Sequence, residues 1–301
     1  MWQHLLEDLK KGQIKALARA ISLVENEVKG YETFLQALPH NDTTKIIGIT
    51  GPPGAGKSTL VDALIGQLVN DGKKVAVLCI DPSSPFNLGA VLGDRIRMSN
   101  WYTNPAVFIR SLATRGSMGG LHPKIIEITE VIKSATYDYI IVETVGVGQS
   151  EIEIAGLADT TVVVVVPEAG DEVQTMKAGL MEIADVFVVN KSDRPDADMF
   201  VKNLRLMLAP AFHQHVHEIE VIKTVASTGT GIKDLHMAIQ KHQQHALINE
   251  KKAWLLAERA YYLIQQKRMK NISKEGLKTK IQQQLDSSAF NLHRFIESVL
   301  Q

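Results

Sequence analysis

The stretch Gly48-Ile49-Thr50-Gly51-Pro52-Pro53-Gly54-Ala55-Gly56-Lys57-Ser58-Thr59-Leu60 decides the fold of this 301-residue chain. It contains Gly51-x-x-x-x-Gly56-Lys57-Ser58, the spacing of a phosphate-binding P-loop. A phosphate tail is best held by backbone N–H groups at a helix N-terminus, where the helix dipole favours negative charge. Gly51, Gly54 and Gly56 let the chain bend with few side-chain obstructions, and Lys57 reaches toward the β- and γ-phosphates. Ser58 offers a hydroxyl to Mg2+, an ion that keeps most of its waters and takes few protein ligands. Residues 45–50 read as a short buried strand and 59–69 as a helix, the context this loop needs. The bland alternative is a Gly-Pro turn entering a helix.

A second motif says which base. Asn190-Lys191-Ser192-Asp193 follows the apolar run Val186-Phe187-Val188-Val189. It therefore sits at the carboxyl end of a strand, where open α/β sheets bind ligands. The Asp193 carboxylate can accept from guanine N1–H and the 2-amino group, and adenine has no matching donor pair. Asn190 can hold the loop and approach guanine O6, while the Lys191 stem can lie over the ring. The two motifs together imply a guanine-nucleotide switch or GTPase; a plain strand-to-helix loop is the alternative for the second.

Strands are expected near 45–50, 75–80, 106–110, 138–143, 161–166, 185–190 and 219–223, alternating with helical patterns. That alternation argues for an α/β fold with a mostly parallel sheet covered on both faces. Before it, residues 3–38 read as helices, with Leu5, Leu6 and Leu9, then Ala16, Leu17, Ala20, Ile21 and Val24, then Val28, Tyr31, Phe34, Leu35 and Leu38 as apolar stripes. His40 to Thr43 read as a linker. After Asn249 a long helix carries Leu247/Ile248, Trp254/Leu255 and Tyr261/Tyr262 at seven-residue intervals, followed by two more helices. Such a stripe can seat a partner helix, or pack against the chain's own nucleotide domain.

Bulk properties set bounds. Lys plus Arg and Asp plus Glu both number 33, so no overall field points to nucleic acid or an anionic membrane. The one cysteine, Cys79, lies in a strand run and reads as a buried small hydrophobe. No apolar run reaches the roughly 18 residues of a membrane span. The first residues lack a signal-peptide apolar region, so a cytoplasmic location is expected. His213, His215 and His217 alternate, which on a strand would put three imidazoles on one face and suit a transition metal; a solvated loop is the favoured reading.

A P-loop GTPase also needs an acidic residue near Mg2+ and a glycine N–H that senses the γ-phosphate. Glu143-Thr144-Val145-Gly146 ends the fourth strand with that spacing, which assigns Glu143 to the metal shell and Gly146 to the γ-phosphate. Val147 stands where Ras-like enzymes carry a water-positioning Gln, and Gln149 is a possible substitute two residues on. Slow intrinsic hydrolysis is the inference. Asp81 ends a strand on the nucleotide side and Asp94 lies in a Gly- and Arg-containing segment; both are candidate metal-side carboxylates, with surface charge the alternative.

Taken together the chain resembles the MeaB/ArgK/MMAA family of GTPases. The resemblance spans nearly the whole chain: residues 16–26, the P-loop, Asp81 to Phe86 with Leu92 to Met98, Phe108 to Leu121, Glu143 to Glu151, and Ala169 to Asp193. It implies a GTPase binding GTP or GDP with Mg2+, usually a homodimer through its C-terminal helices. It also implies a chaperone that gates adenosylcobalamin entry into methylmalonyl-CoA mutase or a related acyl-CoA mutase. On this basis the chain divides into an N-terminal helical extension (1–41), a P-loop GTPase domain (42–246) and a C-terminal helical dimerisation arm (247–301).

By the same resemblance Gly51 to Thr59, including Ala55, serve the phosphates. Ser58, Asp81, Asp94 and Glu143 surround Mg2+, and Asn190 and Asp193 read guanine. The last base loop falls at Val225-Ala226-Ser227, with Val225 in place of Ser, leaving the backbone of Ala226 and Ser227. Leu88 and Glu168 stand where Gly is usual, which opens the choice of mutase. An activating cation is expected from Lys177, or from Arg115, when the loop around Pro167 to Gln174 docks on the mutase. Two alternatives belong to other classes: a nickel-inserting GTPase, which would need Cys or His ligand groups, and a kinase-like ATPase linked to basic amino-acid transport.

Overall fold

Long apolar runs become the strands of one sheet. In the computed structural model, which describes residues 1–81, 98–114, 121–146, 150–167, 178–208, 219–245, 250–269, 272–285 and 290–300, seven strands are formed. They are β1 (Lys45–Thr50), β2 (Val75–Asp81), β3 (Val107–Ala113), β4 (Tyr139–Glu143), β5 (Thr160–Val165), β6 (Val186–Val189) and β7 (Glu220–Lys223). Every pairing is parallel, in the order β3-β2-β4-β1-β5-β6-β7. The expected strands and parallel sheet are present, with bounds shifted by a residue or two at most positions. β3 runs further than expected, through Ala113, because Ile80 and Asp81 pair with Leu112 and Ala113.

Both faces of the sheet are buried, which explains runs without alternation. In β5, Val162 and Val164 pack with Leu60, Leu64, Leu235 and Ile239, whereas Val163 and Val165 pack with Phe187, Phe200 and Leu204 on the opposite face. Burying each such side chain is worth roughly 1.5–3 kcal/mol. The first face is covered by α4 (Lys57–Asn70), with Leu60, Val61, Leu64, Ile65 and Leu68 buried at helical spacing, and by α9 (Ile232–His245). The other face receives α6 (Ser150–Leu157), α7 (Ala178–Ile183) and α8 (Ala197–Leu208). Gly48 permits the tightest approach here: a Cβ on it would lie 2.5 Å from Ile154 Cγ1 and 3.0 Å from the Ala158 methyl.

The N-terminal residues form α1 (Trp2–Lys10), α2 (Ile14–Glu25) and α3 (Tyr31–Gln36). The stripe Ala16, Leu17, Ala20, Ile21 and Val24 is buried as its period requires. The Trp2 and Phe34 rings lie 4.9 Å apart, and Trp2 Nε1 donates to the Lys29 carbonyl. Ionic contacts fix these helices to the sheet layer. Glu25 accepts from Arg110 of β3 at 2.8 Å and lies 3.8 Å from His122 Nε2. Lys124, just before α5 (Ile125–Lys133), meets Glu27 at 2.7 Å, Glu127 at 3.8 Å and the face of the Tyr31 ring. Its ammonium is buried, and the two carboxylates outweigh the desolvation that opposes its charge. The residues expected as a linker are pinned as well: Asn41 accepts from Thr43 and Thr44 backbone N–H groups and donates to the Lys133 carbonyl.

Two compact units are formed, Met1–Lys252 and Ala253–Gln301. The second consists of most of α10 (Glu250–Arg268) with α11 (Lys274–Leu285) and α12 (Leu292–Leu300). Within it Phe295 is buried beside Phe290, while Trp254, Tyr261, Tyr262 and Ile264 are exposed. No helix among the described residues is long and apolar enough to cross a membrane. Asp94, Arg115, Val147, Gln149, Lys177, Leu88, Glu168, Leu247, Ile248 and His213 to His217 lie outside the described residues.

His236 on α9 gives the fold a pH dependence. Its Nδ1 lies 3.1 Å from Asp71 and its ring meets Tyr139 edge-on, while Nε2 has no hydrogen-bond partner among the described residues. Burial, helped by Lys73, holds its pKa below the usual 6.5 despite the opposing pull of Asp71. The unfolded chain takes up a proton near pH 6.5 that the folded ring resists. This contribution is therefore complete above that pH and is lost as pH falls through the lower folded value. Urea midpoints measured from about pH 8 to about pH 5 should fall toward acid, and His236→Phe should flatten that decline.

Candidate functional site

The carboxyl ends of β1, β4 and β6 bring the sequence motifs to one edge of the sheet. β1 ends at Thr50, and the chain turns through Gly51 to Gly56 into α4. Gly51 has φ 140° and Gly56 φ 87°, a left-handed pair that glycine adopts at little cost. A Cβ on Gly51 would strike the Val164 carbonyl oxygen, and one on Gly56 the Asn190 amide nitrogen. The loop is thus a cradle that side chains would fill. Gly54 is also left-handed at φ 78°, Ala55 is fully buried, and Thr59 is exposed in the first turn of α4.

Lys57 and Ser58 open α4, where the helix dipole favours an anion. The buried Lys57 ammonium donates to the Gly51 carbonyl at 2.9 Å and the Pro52 carbonyl at 3.1 Å, so it curls over the loop. Ser58 Oγ donates to Glu143 Oε1 at 2.7 Å, with both side chains buried. Asp81 is buried too, at the end of β2 and two residues beyond Cys79, which pairs with Glu143 of β4. Hydroxyl and carboxylate oxygens suit a hard divalent cation such as Mg2+; the donor set fits that ion. Among the described residues no group of three His, Cys, Asp or Glu side chains converges on one point. Gly146, with φ 85°, comes so close that a Cβ there would lie 2.6 Å from both Gly51 O and Lys57 Nζ.

Asn190 ties this cradle to the loop that follows β7. Its amide nitrogen donates to the Ala55 carbonyl at 2.9 Å. Its oxygen accepts from Thr224 Oγ1 and from the Ala226 backbone N–H, both at 3.1 Å. Lys191 follows in a left-handed conformation at φ 56°, and Ser192 N–H donates to the Thr224 carbonyl at 3.0 Å. Asp193 and Ser227 are exposed, Ala226 is buried, and Val225 bridges Thr230. A cavity of about 960 Å³ opens on the outer side of these loops, sharing Asp193, Ser192 and Val225 with them. No P-loop residue lines it.

Of the residues singled out in the sequence, Gly51, Gly54, Ala55, Gly56, Lys57, Ser58, Glu143, Gly146 and Asn190 form one connected cluster, with Asp193, Ala226 and Ser227 on the adjoining loops after β6 and β7. Asp94 and Lys177 lie outside the described residues. Sequence reasoning overlooked three threonines: Thr224, which fixes the Asn190 oxygen, and Thr50 and Thr144, whose hydroxyls bond at 2.9 Å. Each is next to a motif, and that adjacency was the available signal.

The sequence profile described as methylmalonyl Co-A mutase-associated GTPase MeaB matches residues 17–283. The chain belongs to the MeaB family. A Pyrococcus abyssi relative, named as a GTPase by inference, is 50% identical over 248 residues, covering 81% of this chain and 76% of that one. The mitochondrial methylmalonic aciduria type A homolog of Caenorhabditis briggsae is 40% identical over 208 residues, covering 64% and 50% of the respective chains. A crystal structure of an LAO/AO transport system kinase matches with a TM-score of 0.68 at 25% identity, over 99% of this chain and 95% of that one. The family and the fold expected from the sequence are therefore present, and membership of a GTPase family implies a guanine nucleotide as ligand.

In this MeaB-family chain Asn190 should be indispensable. Asn190→Ala strips the bonds to Ala55, Thr224 and Ala226, leaving buried groups unsatisfied at about 1–3 kcal/mol. Fluorescent GDP titration should show affinity lowered roughly five- to 150-fold, with the urea midpoint also reduced.

Proposed function

We propose that this chain binds and hydrolyses GTP with Mg2+, and that nucleotide turnover gates its action as a chaperone of an adenosylcobalamin-dependent acyl-CoA mutase. Methylmalonyl-CoA mutase or a close relative is the partner. The observation that carries the nucleotide reading is the Asn190 side chain, which spans from the P-loop at Ala55 to the base loop at Ala226. The mutase reading rests on the family's description and on the name of the worm relative.

The roles follow from chemistry. Gly51 to Thr59 cradle the phosphates, with N–H donors from Gly54 onward because Pro52 and Pro53 have none, and Lys57 neutralises charge on the transferred phosphoryl group. Ser58, Glu143 and Asp81 would hold Mg2+, directly or through water, with Asp94 the fourth assigned carboxylate or hydroxyl. The ion, when bound, shields charge on the β- and γ-phosphates. Gly146 N–H is assigned to the γ-phosphate, and Asp193 with Asn190, Lys191, Ala226 and Ser227 to guanine. Val147 orients no water, so turnover is slow until Lys177, or failing it Arg115, is brought in by the mutase. Residues 247–301 act as a dimerisation arm, since exposed Trp254, Tyr261, Tyr262 and Ile264 leave apolar area that costs roughly 25 cal/mol per Å² in water.

A second reading comes from the solved structure described as a transport-system kinase; it would favour ATP. Asp193 decides between them. Calorimetry should give GTP binding at least tenfold tighter than ATP, and Asp193→Asn should weaken GTP roughly ten- to a hundredfold while favouring xanthosine nucleotides. Equal binding of ATP and GTP by the unaltered protein would sink the guanine assignment. For the chaperone role, single-turnover GTP hydrolysis should accelerate on adding a cobalamin-dependent acyl-CoA mutase, and Lys177→Ala should remove most of that acceleration. Light scattering of the full chain at about 20 μM should show a dimer.

A further inference from the structure

A buried hydroxyl pair joins the end of β1 to the residue that follows β4. Thr50 and Thr144 are essentially inaccessible, 0% and 2% exposed. Thr144 Oγ1 donates to Thr50 Oγ1 at 2.9 Å, and Thr144 N–H donates to the Ile49 carbonyl at 3.0 Å. Thr144 is thus held at two points to the strand that feeds the P-loop. Its neighbours on either side are the residues that matter: Glu143, which accepts from Ser58, and two positions on, Gly146, packed against Gly51 O and Lys57 Nζ. The side-chain bond adds what the backbone bond lacks, a constraint on rotation of the chain about Thr144 as it leaves the strand. Glu143 and Gly146 lie on the two sides of this anchored residue, so slack at Thr144 would reach both.

We infer that Thr50 is a positioning residue for phosphoryl transfer, acting through Thr144 to set the separation between Glu143 and Gly146. This rests on the GTPase reading given above. Thr50 is fully buried at the start of the loop and its hydroxyl is engaged by Thr144, so its effect should appear in the rate rather than in ground-state affinity. Loss of an interaction that matters only as charge develops lowers kcat without weakening binding.

The test uses the full chain and compares wild type, Thr50→Val, Thr50→Ser and the double variant Thr50→Val/Thr144→Val. Thr50→Val keeps the shape and removes the acceptor; it should slow single-turnover GTP hydrolysis about tenfold while GDP affinity stays within about threefold. Thr50→Ser should restore the rate. The double variant leaves neither hydroxyl orphaned, and replacing both partners of a buried bond by apolar groups is often close to neutral for stability. It should therefore regain thermal stability lost in Thr50→Val yet remain slow. A wild-type rate in Thr50→Val, or recovery of rate in step with stability in the double variant, overturns the inference. A fall in GDP affinity that accounts for the whole effect overturns it also, by making Thr50 a binding residue. Absence of GTP hydrolysis by the wild type, alone and with mutase, would instead reject the GTPase reading.

Discussion

One primary amide holds the site together. Asn190 satisfies the Ala55 carbonyl on one side and the Thr224 hydroxyl and Ala226 N–H on the other. A buried amide with unmade bonds is costly, so each loop is stable in this shape only while the others keep theirs. Gly56 is part of the same constraint: any side chain there would displace the Asn190 nitrogen. The glycine-rich loop after β1 and the loops after β6 and β7 are therefore a single folded object, although the first is separated from the others by more than a hundred residues of sequence.

The sheet makes this possible by being dry on both faces. Alternate residues of β5 enter different cores, so a strand cannot slide by one residue without moving large side chains into the wrong layer. That fixes the heights at which β1, β4 and β6 end, and with them the relative positions of Thr50, Glu143 and Asn190. Rigidity of the scaffold is what lets short, glycine-rich loops carry an exact geometry.

Much of this was legible beforehand, for physical reasons that differ by element. The strands announced themselves because a buried parallel strand must be apolar throughout, and the P-loop because its glycines answer a steric demand. The α2 stripe was legible because one face of that helix is buried. Other features depend on partners distant in sequence and leave no local mark. Lys124 reads as an ordinary surface charge until Glu27, Glu127 and Tyr31 enclose it. Asn41 reads as a linker residue until it caps its own turn and reaches Lys133. The Thr50 and Thr144 hydroxyls stand between the two kinds: their places beside Gly51 and Glu143 mark them as neighbours of the motifs, but that they bond to each other shows only once the two segments are brought together.

Glu25 has a topological consequence. Its two oxygens face Arg110 on β3 and His122 after it, so a single carboxylate from α2 touches the chain on both sides of residues 115–120. Arg110 ends up tied to His122 through a third element rather than through the chain that joins them. The footing of both points therefore lies in the first helices, and a change in α2, far in sequence from the P-loop and Asn190, would shift the end of β3 and the approach to α5 together.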